Sequence, residues 1–321
     1  MALVVSPTPS GVDDAAVPDE VLVLDVDGPL DLARTLGVLA NGRRDPTIRR
    51  AGDGVWLARR TPDGPASLHL DPGRVDPRRG GRLLARAWGP GAAHLVVRAA
   101  ALAGLDDRGE VVTDHPLVAR LARERPGGRA SRGGGVVAML VPTIIGQKVQ
   151  AVAAHESWAH LVHALSERAP GPGRLWLPPD PARLAATPYH AFHRFDLERR
   201  RADVIRRACS LASRLDRLDR VPVDEAMARL QSVPGVGPWT ATVVARAVLG
   251  DPDVVVVGDY HLPHQVAHAL AGERRATDER MLELLAPFAG QRGRVQSLLA
   301  GSGLGPERRG PRLARRRIVD Q

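Results

Sequence analysis

The sequence predicts an α+β protein in two parts: a region of mixed strands and helices, then a region that is almost wholly α-helical. In the first part, short apolar segments with strand-like alternation are separated by turn signals rich in Gly, Pro and Asp. From His115 onward, apolar residues recur at helical spacing in segments that Pro and Gly interrupt.

These patterns divide the 321-residue chain into four segments. Residues 1–20 lack periodicity and are predicted to be a flexible terminus. Residues 304–321 are rich in arginine and are predicted to be a disordered basic tail. Between them we expect an α+β N-terminal domain at 21–108 and an all-α domain at 109–303, a length that suits about two domains.

Composition indicates a globular chain with an anionic partner. The hydrophobic fraction is 44%, the charged fraction 25%, the net charge +9 and the pI about 11.0. An arginine-favouring codon bias explains the charge equally well, because Lys148 is the only lysine.

The single cysteine, Cys209, excludes an intramolecular disulfide and favours a reducing compartment. With no signal pattern and no membrane-spanning segment, we expect a cytoplasmic protein without a membrane partner.

Each element is predicted from its own pattern. Strands are expected at 21–26, 47–50, 54–60 and 66–70, and helices at 31–37, 82–88 and 95–105. In the second part, helices are expected at 115–121, twice within 136–165, and at 181–186, 198–215, 223–230, 238–250, 265–270, 277–285 and 295–299. Trp56 and Trp88 are interpreted as core or interface residues. For the basic loop at 125–135, disorder and alignment along a nucleic-acid backbone both stay open.

The most specific motif is residues 230–241, Leu-Gln-Ser-Val-Pro-Gly-Val-Gly-Pro-Trp-Thr-Ala. Gly235 and Gly237 permit a tight turn and leave room for a ligand near the backbone. Pro238 then stands at the natural first position of a new helix. Amides that open onto a helix N-terminus suit one phosphate. The alternative is a plain hairpin of two helices, but the flanking residues favour the phosphate site.

This motif, with Asp259 after it and Gly146-Gln147 before it, resembles that of the helix-hairpin-helix DNA glycosylases, in particular the AlkA-type 3-methyladenine branch. The resemblance implies an N-terminal antiparallel sheet backed by helices, followed by an all-α helix-hairpin-helix glycosylase domain. It also implies a monomeric, nucleoid-associated protein whose partner is double-stranded DNA containing damaged bases. One cysteine excludes the four-cysteine iron–sulfur cluster of the endonuclease III branch.

The resemblance assigns Asp259 as the catalytic residue. Cleavage of an N-glycosidic bond places positive charge on the sugar, which a nearby carboxylate can stabilise. Asp259 follows the apolar run 254–257, so partial desolvation is expected to strengthen its field. The alternative, a helix-capping role, is compatible with catalysis. Gly258 departs from the family, which has a second acid there.

Trp239 stands where family members that also cut the strand have a lysine, which forms a Schiff base with the sugar. Tryptophan has no amine, so the resemblance implies a monofunctional enzyme that uses water. Trp239 corresponds to a pocket tryptophan that stacks on a cationic alkylated base, with a core position as the alternative. Tyr260 and Phe288 correspond to further pocket aromatics, whereas Val243 replaces one.

The resemblance assigns the DNA contacts to two turns. The residues are Gly146, Gln147, Lys148, Pro234, Gly235, Val236, Gly237 and Thr240. Lys148 corresponds to the side chain, a leucine in the family, that fills the gap left by the flipped base. A surface lysine on a turn and a Schiff-base amine are its alternatives.

No cofactor is required, although the family holds Na+ or K+ on hairpin carbonyls. In this chain those carbonyls correspond to Gln231, Val233 and Val236. His261, His264 and His268 have helical spacing, but Pro263 interrupts it and no second acidic ligand is obvious, so we expect no transition metal.

The predicted function is excision of alkylated purines of the 3-methyladenine type by base flipping and hydrolysis, in base-excision repair. An 8-oxoguanine-type glycosylase is an alternative, although Trp239 disfavours a lyase. A non-catalytic damage-binding protein is a second alternative, which Gly258, Val243 and Lys148 keep open.

Overall fold

The computed structural model describes residues 17–306. The predictions for the flexible terminus up to residue 16 and for the basic tail from residue 307 lie outside the described residues. No helix within 17–306 is long and apolar enough to cross a membrane.

A five-stranded antiparallel sheet forms the first part, as the resemblance implies. Its strands are β1 (Glu20–Asp27), β2 (Ile48–Ala51), β3 (Gly54–Thr61), β4 (Gly64–Asp76) and β5 (Gly80–Trp88). The strand order is β1-β5-β4-β3-β2, with a register irregularity in β4 between Asp71 and Arg74. Leu57, Leu68 and Leu83 are fully buried on this sheet, whose strands contact the first two helices of the chain.

The prediction of a helix at 82–88 is wrong, because this segment forms the strand β5. Arg, Leu and Ala are good helix formers, which made a helix plausible from local propensity. The burial pattern has a period of two, since Leu83, Ala85 and Ala87 are fully buried while Arg86 between them is not. β5 pairs with β1 on one side and β4 on the other, and these two ladders override the propensity.

The second part is helical, as predicted. The α-helices of the described residues are α1 (Leu32–Thr35), α2 (Ala92–Val97), α3 (Ala99–Leu102), α4 (Pro116–Glu124), α5 (Val136–Ile145), α6 (Ala151–Leu165), α7 (Pro181–Ala186), α8 (Arg199–Ser210), α9 (Ala212–Leu215), α10 (Val223–Gln231), α11 (Pro238–Val248), α12 (Leu262–Ala271), α13 (Asp278–Leu285) and α14 (Arg292–Gly301). Nine of the ten residues of α5 are buried, so this helix is central. It packs against α6, α8 and α11, and thereby brings together the ends that carry the predicted site.

The sheet and the helices share one apolar core. Leu57 of β3 and Leu68 of β4 belong to the same buried cluster as Leu140 of α5 and Val244 of α11. The division into domains at residue 108 stays a prediction.

Trp56 and Trp88 are core residues, as predicted. They are 7% and 5% exposed, and their ring centroids lie 5.3 Å apart. Leu175 and Leu177 complete a separate cluster around them. Neither ring is available to stack on a base.

Of the two interpretations of the basic loop at 125–135, disorder is wrong, whereas alignment along a nucleic-acid backbone stays a prediction. Arg129 is 6% exposed, and its guanidinium donates to the backbone carbonyls of Pro29 and Asp27. The loop is therefore ordered against the first part of the chain. Its most buried arginine joins the two parts of the chain, whereas the side chain of Arg132 is 50% exposed.

Asp107 fixes the junction between the two parts. Its carboxylate accepts from the amides of Gly109 at 3.1 Å and Ala130 at 2.7 Å, and it pairs with Arg294 of α14. Burial raises the pKa of this carboxyl, but Arg294 and the amides lower it more, so the pKa lies below its usual value.

Asp107→Asn should lower the free energy of unfolding by about 3 kcal/mol, because it leaves the largely buried Arg294 without its charged partner. Since the folded pKa is depressed, the contribution is complete above the unfolded pKa of about 3.9 and is lost as pH falls through the folded pKa. Urea unfolding of wild type and variant should therefore differ at pH 7 and converge in acid.

Asp106→Asn is the matched control for this prediction. Asp106 pairs with Arg132 at 2.7 Å, but both side chains are exposed, so its loss should cost less than about 1 kcal/mol. Equal losses for the two variants would show that Asp107 has no special place at the junction.

Candidate active site

The hairpin joins α10 to α11 through residues 232–237. Gly235 has φ +98°, and a Cβ at this position would lie 2.2 Å from Cγ2 of Val204 in α8. Only glycine fits, because α8 packs directly beneath the turn. Val233 and Val236 are buried and fix the turn to the core, and the Val236 amide donates to the Val233 carbonyl at 2.9 Å.

The outer side of the hairpin presents unpaired amides. Gly235 and Gly237 are exposed, and neither amide donates to any described residue. Pro238 begins α11 directly afterwards, so the positive end of the helix dipole lies at the same place. Two donors and a helix N-terminus can together hold one anionic group.

Gln147 fastens the turn between α5 and α6 to this hairpin. Its Nε2 donates to the Gly235 carbonyl at 3.0 Å and to Thr240 Oγ1 at 2.9 Å. The DNA contacts assigned to Gln147 and Thr240 stay predictions, and both side chains already serve the fold. Sequence reasoning placed the two residues at the same site without detecting the bond between them.

Lys148 follows with a backbone conformation that is rare for a residue with a Cβ, at φ +57°. Its side chain is exposed, and so are those of Val149 and Val152 at the start of α6. Left-handed residues of this kind concentrate at functional sites. The turn thus presents one cation and two apolar side chains to solvent, and its gap-filling role stays a prediction.

Trp239 lies on the first turn of α11 between two glycines. A Cβ at Gly258 would lie 3.1 Å from Trp239 Cβ, and a Cβ at Gly146 would lie 3.6 Å from Cη2 at the far end of the indole. The base of the side chain therefore meets the segment before Asp259, and its tip meets the turn before Lys148. The ring is half-buried, which leaves part of it open to solvent.

Asp259 caps the start of α12. Its Oδ1 accepts from the amides of His261 at 2.7 Å and Leu262 at 3.0 Å, whereas no described residue donates to Oδ2. The carboxylate is half-buried behind the run 254–256, whose three valines are buried. The cap fixes one oxygen and leaves the other available, so capping and catalysis are compatible.

The conformation of Gly258 explains why position 258 lacks the second acid that the family has there. Its φ of +74° favours glycine, and its close approach to Trp239 leaves little room for a side chain. The Gly258 amide donates to Oδ2 of Asp278 in α13 at 2.7 Å. Sequence reasoning missed Asp278, because nothing near it in the chain points to this contact.

The other aromatic residues lie apart from Trp239. Tyr260 is 79% exposed and meets the rings of His261 and His264 edge-on. Phe288 is 3% exposed beside His115, so it presents no face to a base in this structure. Within the described part of the chain, no ring contact joins either residue to Trp239. Their pocket roles stay predictions.

The monovalent cation that the resemblance implies at the hairpin carbonyls stays a prediction. Among the described residues, nothing donates to the carbonyls of Gln231 and Val236, and Val233 accepts one bond and keeps a lone pair. Hard oxygen ligands of this kind suit Na+ or K+. The same part of the chain has no group of three or more His, Cys, Asp or Glu residues that could hold a metal ion. Burial raises the pKa of the Cys209 thiol to about 12, which removes it as a nucleophile.

Solved structures share this fold. A 3-methyladenine DNA glycosylase from Archaeoglobus fulgidus has a TM-score of 0.69 at 16% identity, over 86% of this chain and 96% of that one. MBOgg1 in complex with a low-affinity DNA ligand has a TM-score of 0.67 at 16% identity, over 93% and 96%. The chain has the helix-hairpin-helix DNA glycosylase fold.

A third structure belongs to a Clostridium acetobutylicum 8-oxoguanine glycosylase/lyase in complex with double-stranded DNA containing cytosine opposite 8-oxoguanine. It has a TM-score of 0.65 at 13% identity, over 88% of this chain and 94% of that one. No protein-family model and no curated protein sequence matches this chain. The predicted resemblance is thus confirmed at the level of the fold.

Gly235→Ala should lower the free energy of unfolding by about 2–4 kcal/mol, because it combines a positive φ with a Cβ that overlaps Val204. Gly237→Ala is the control: at φ −95°, its added Cβ meets no atom within 4 Å. Its stability should stay within about 0.5 kcal/mol of wild type, while the added methyl group hinders an anion at the amides. Urea unfolding and fluorescence anisotropy with a DNA duplex measure the two effects. Normal stability of Gly235→Ala, or normal DNA affinity of Gly237→Ala, would contradict this description of the hairpin.

Proposed function

We propose that this protein is a monofunctional DNA glycosylase that excises alkylated purines of the 3-methyladenine kind. The observation that carries the proposal is the meeting of three parts at Trp239. These are the hairpin that begins α11, the turn that ends in Lys148, and the segment that holds Asp259. Base excision requires a grip on the backbone, a group that fills the gap and a carboxylate at the sugar, all acting on one nucleotide.

The hairpin grips the backbone. The free amides of Gly235 and Gly237 bind one phosphate with the help of the α11 dipole. A monovalent cation on the carbonyls of Gln231, Val233 and Val236 would add positive charge there. Lys148, with Val149 and Val152 beside it, enters the stack where the damaged nucleotide leaves it.

The exposed part of the half-buried Trp239 receives the flipped base. An indole attracts a cation over its ring, and an alkylated purine carries positive charge that an 8-oxoguanine lacks. The stacking energy therefore favours alkylated over oxidised purines. Stacking on the indole depends on the charge of the base more than on its hydrogen-bonding groups. The site can therefore accept several alkylated bases.

Asp259 supports bond cleavage through its free Oδ2. The C1′–N bond breaks and its electron pair leaves with the base, which neutralises the positive charge of the base. Asp259 stabilises the cationic sugar that results. Water then forms the new C1′–O bond and gives its proton to Asp259 or to solvent. The products are a free base and an intact abasic strand.

Asp259→Asn should reduce the single-turnover rate of 3-methyladenine release from methylated duplex DNA by about 10²–10³-fold, because it removes the charge that stabilises the sugar. Asparagine keeps an oxygen for the amides of His261 and Leu262, so the start of α12 and the affinity for abasic DNA should be retained. Chromatography of the released base and anisotropy with abasic DNA provide the measurements.

Asp251→Asn is the control, since Asp251 is an acid on a turn whose carboxylate accepts from the Asp253 amide. An active Asp259→Asn variant would refute the assignment of the catalytic residue. A wild type that binds abasic DNA tightly but releases no base would favour a damage-binding protein. Release of 8-oxoguanine alone would favour the oxidised-purine alternative.

A further inference from the structure

Asp278 contacts the residue that precedes Asp259, although it belongs to another helix. Its Oδ2 accepts from the Gly258 amide at 2.7 Å. Its Oδ1 is shielded from solvent and accepts no hydrogen bond within residues 17–306. A buried carboxylate oxygen without a partner is rare in folded proteins and calls for an explanation.

The hydrogen bond with Asp278 acts on the backbone conformation of Gly258. Its φ of +74° makes it the most easily distorted backbone position of the segment, since glycine can adopt many other conformations. Its close approach to the base of the Trp239 side chain sets the spacing between the indole and Asp259. Any rotation at Gly258 would move the carboxylate relative to a stacked nucleotide.

α13 is a fixed support for Asp278. Met281 and Leu285 are fully buried in the same cluster as Val255, which lies in the run before Gly258, and Val266 of α12. Thr277 caps α13 by accepting from the Arg280 amide at 3.3 Å, so the helix start does not depend on Asp278. The amide of the flexible Gly258 therefore donates to an acceptor that a rigid helix holds in place.

We propose that Asp278 is a positioning residue that holds the Gly258–Asp259 backbone in its catalytic geometry. It approaches from α13 the position where the family has a second acid and where this chain has a glycine with little room for a side chain. The inference rests on the proposed function and adds a residue to its machinery. Asp278 acts through the Gly258 amide and needs no contact with the substrate.

The test compares two substitutions in the full-length chain by single-turnover release of 3-methyladenine from methylated duplex DNA. Asp278→Ala removes the acceptor and should lower the rate about 10–10²-fold, as expected when a reacting group shifts by about 1 Å. Its affinity for abasic DNA should stay within about twofold, because the hairpin is untouched. Asp278→Asn keeps an oxygen for the Gly258 amide and should retain the rate within about threefold.

Glu279→Ala is the matched control, since it removes the neighbouring, exposed acid of α13. A normal rate for Asp278→Ala overturns the inference while leaving the proposed function intact. An Asp278→Asn variant as slow as Asp278→Ala also overturns it, because the charge and not the hydrogen bond would then be needed. Loss of abasic-DNA binding in Asp278→Ala would overturn the inference too, because the residue would then support more than the Gly258–Asp259 backbone. A wild type without base release overturns the inference and the proposed function together.

Discussion

The backbone of Gly258 lies against the base of the Trp239 side chain, and the rest of the candidate site depends on this contact. The positive φ of Gly258 and the tight space beside Trp239 favour glycine at this position, and Asp259 follows directly. The tip of the same indole meets Gly146, so one side chain spans the distance between two loops. The geometry of the candidate site is thus set by contacts at the two ends of one side chain.

The helices beneath the site give this contact its rigidity. α5 is almost wholly buried and ends just before Gly146, α8 supports the hairpin at Gly235, and α11 begins at the hairpin itself. The hydrogen bonds of Gln147 join the turn after α5 to the hairpin and to α11. A phosphate held at the hairpin and a base stacked on Trp239 would therefore be positioned by the same first turn of α11.

Most of the helices and the hairpin could be predicted from the sequence, because helical spacing, proline and glycine act locally. The nature of β5 could not be predicted in the same way, since its residues favour a helix until two neighbouring strands pair with them. The family resemblance brought Trp239 and Asp259 forward as site residues. It did not explain Gly258, whose reason lies in a contact with Trp239.

Contacts between distant parts of the chain account for what sequence reasoning missed. Gln147 and Asp278 each bind a backbone group far away in sequence, and neither bond leaves a local pattern. Phe288 shows what the chain position alone does not reveal, because the structure buries this aromatic residue beside His115. Spacing along the chain identifies candidates, but packing decides which face a side chain presents.

The proposed function depends most sharply on the absence of an amine at position 239, where a lysine could form a Schiff base with the sugar. The direct measurement uses end-labelled, methylated duplex DNA, with one portion of the reaction treated with hot alkali and another with borohydride. We expect free 3-methyladenine, a full-length strand before alkali, a cut strand after alkali and no protein–DNA adduct. A strand that is cut without alkali, or an adduct trapped on Lys148 or the N-terminal amine, would contradict this account.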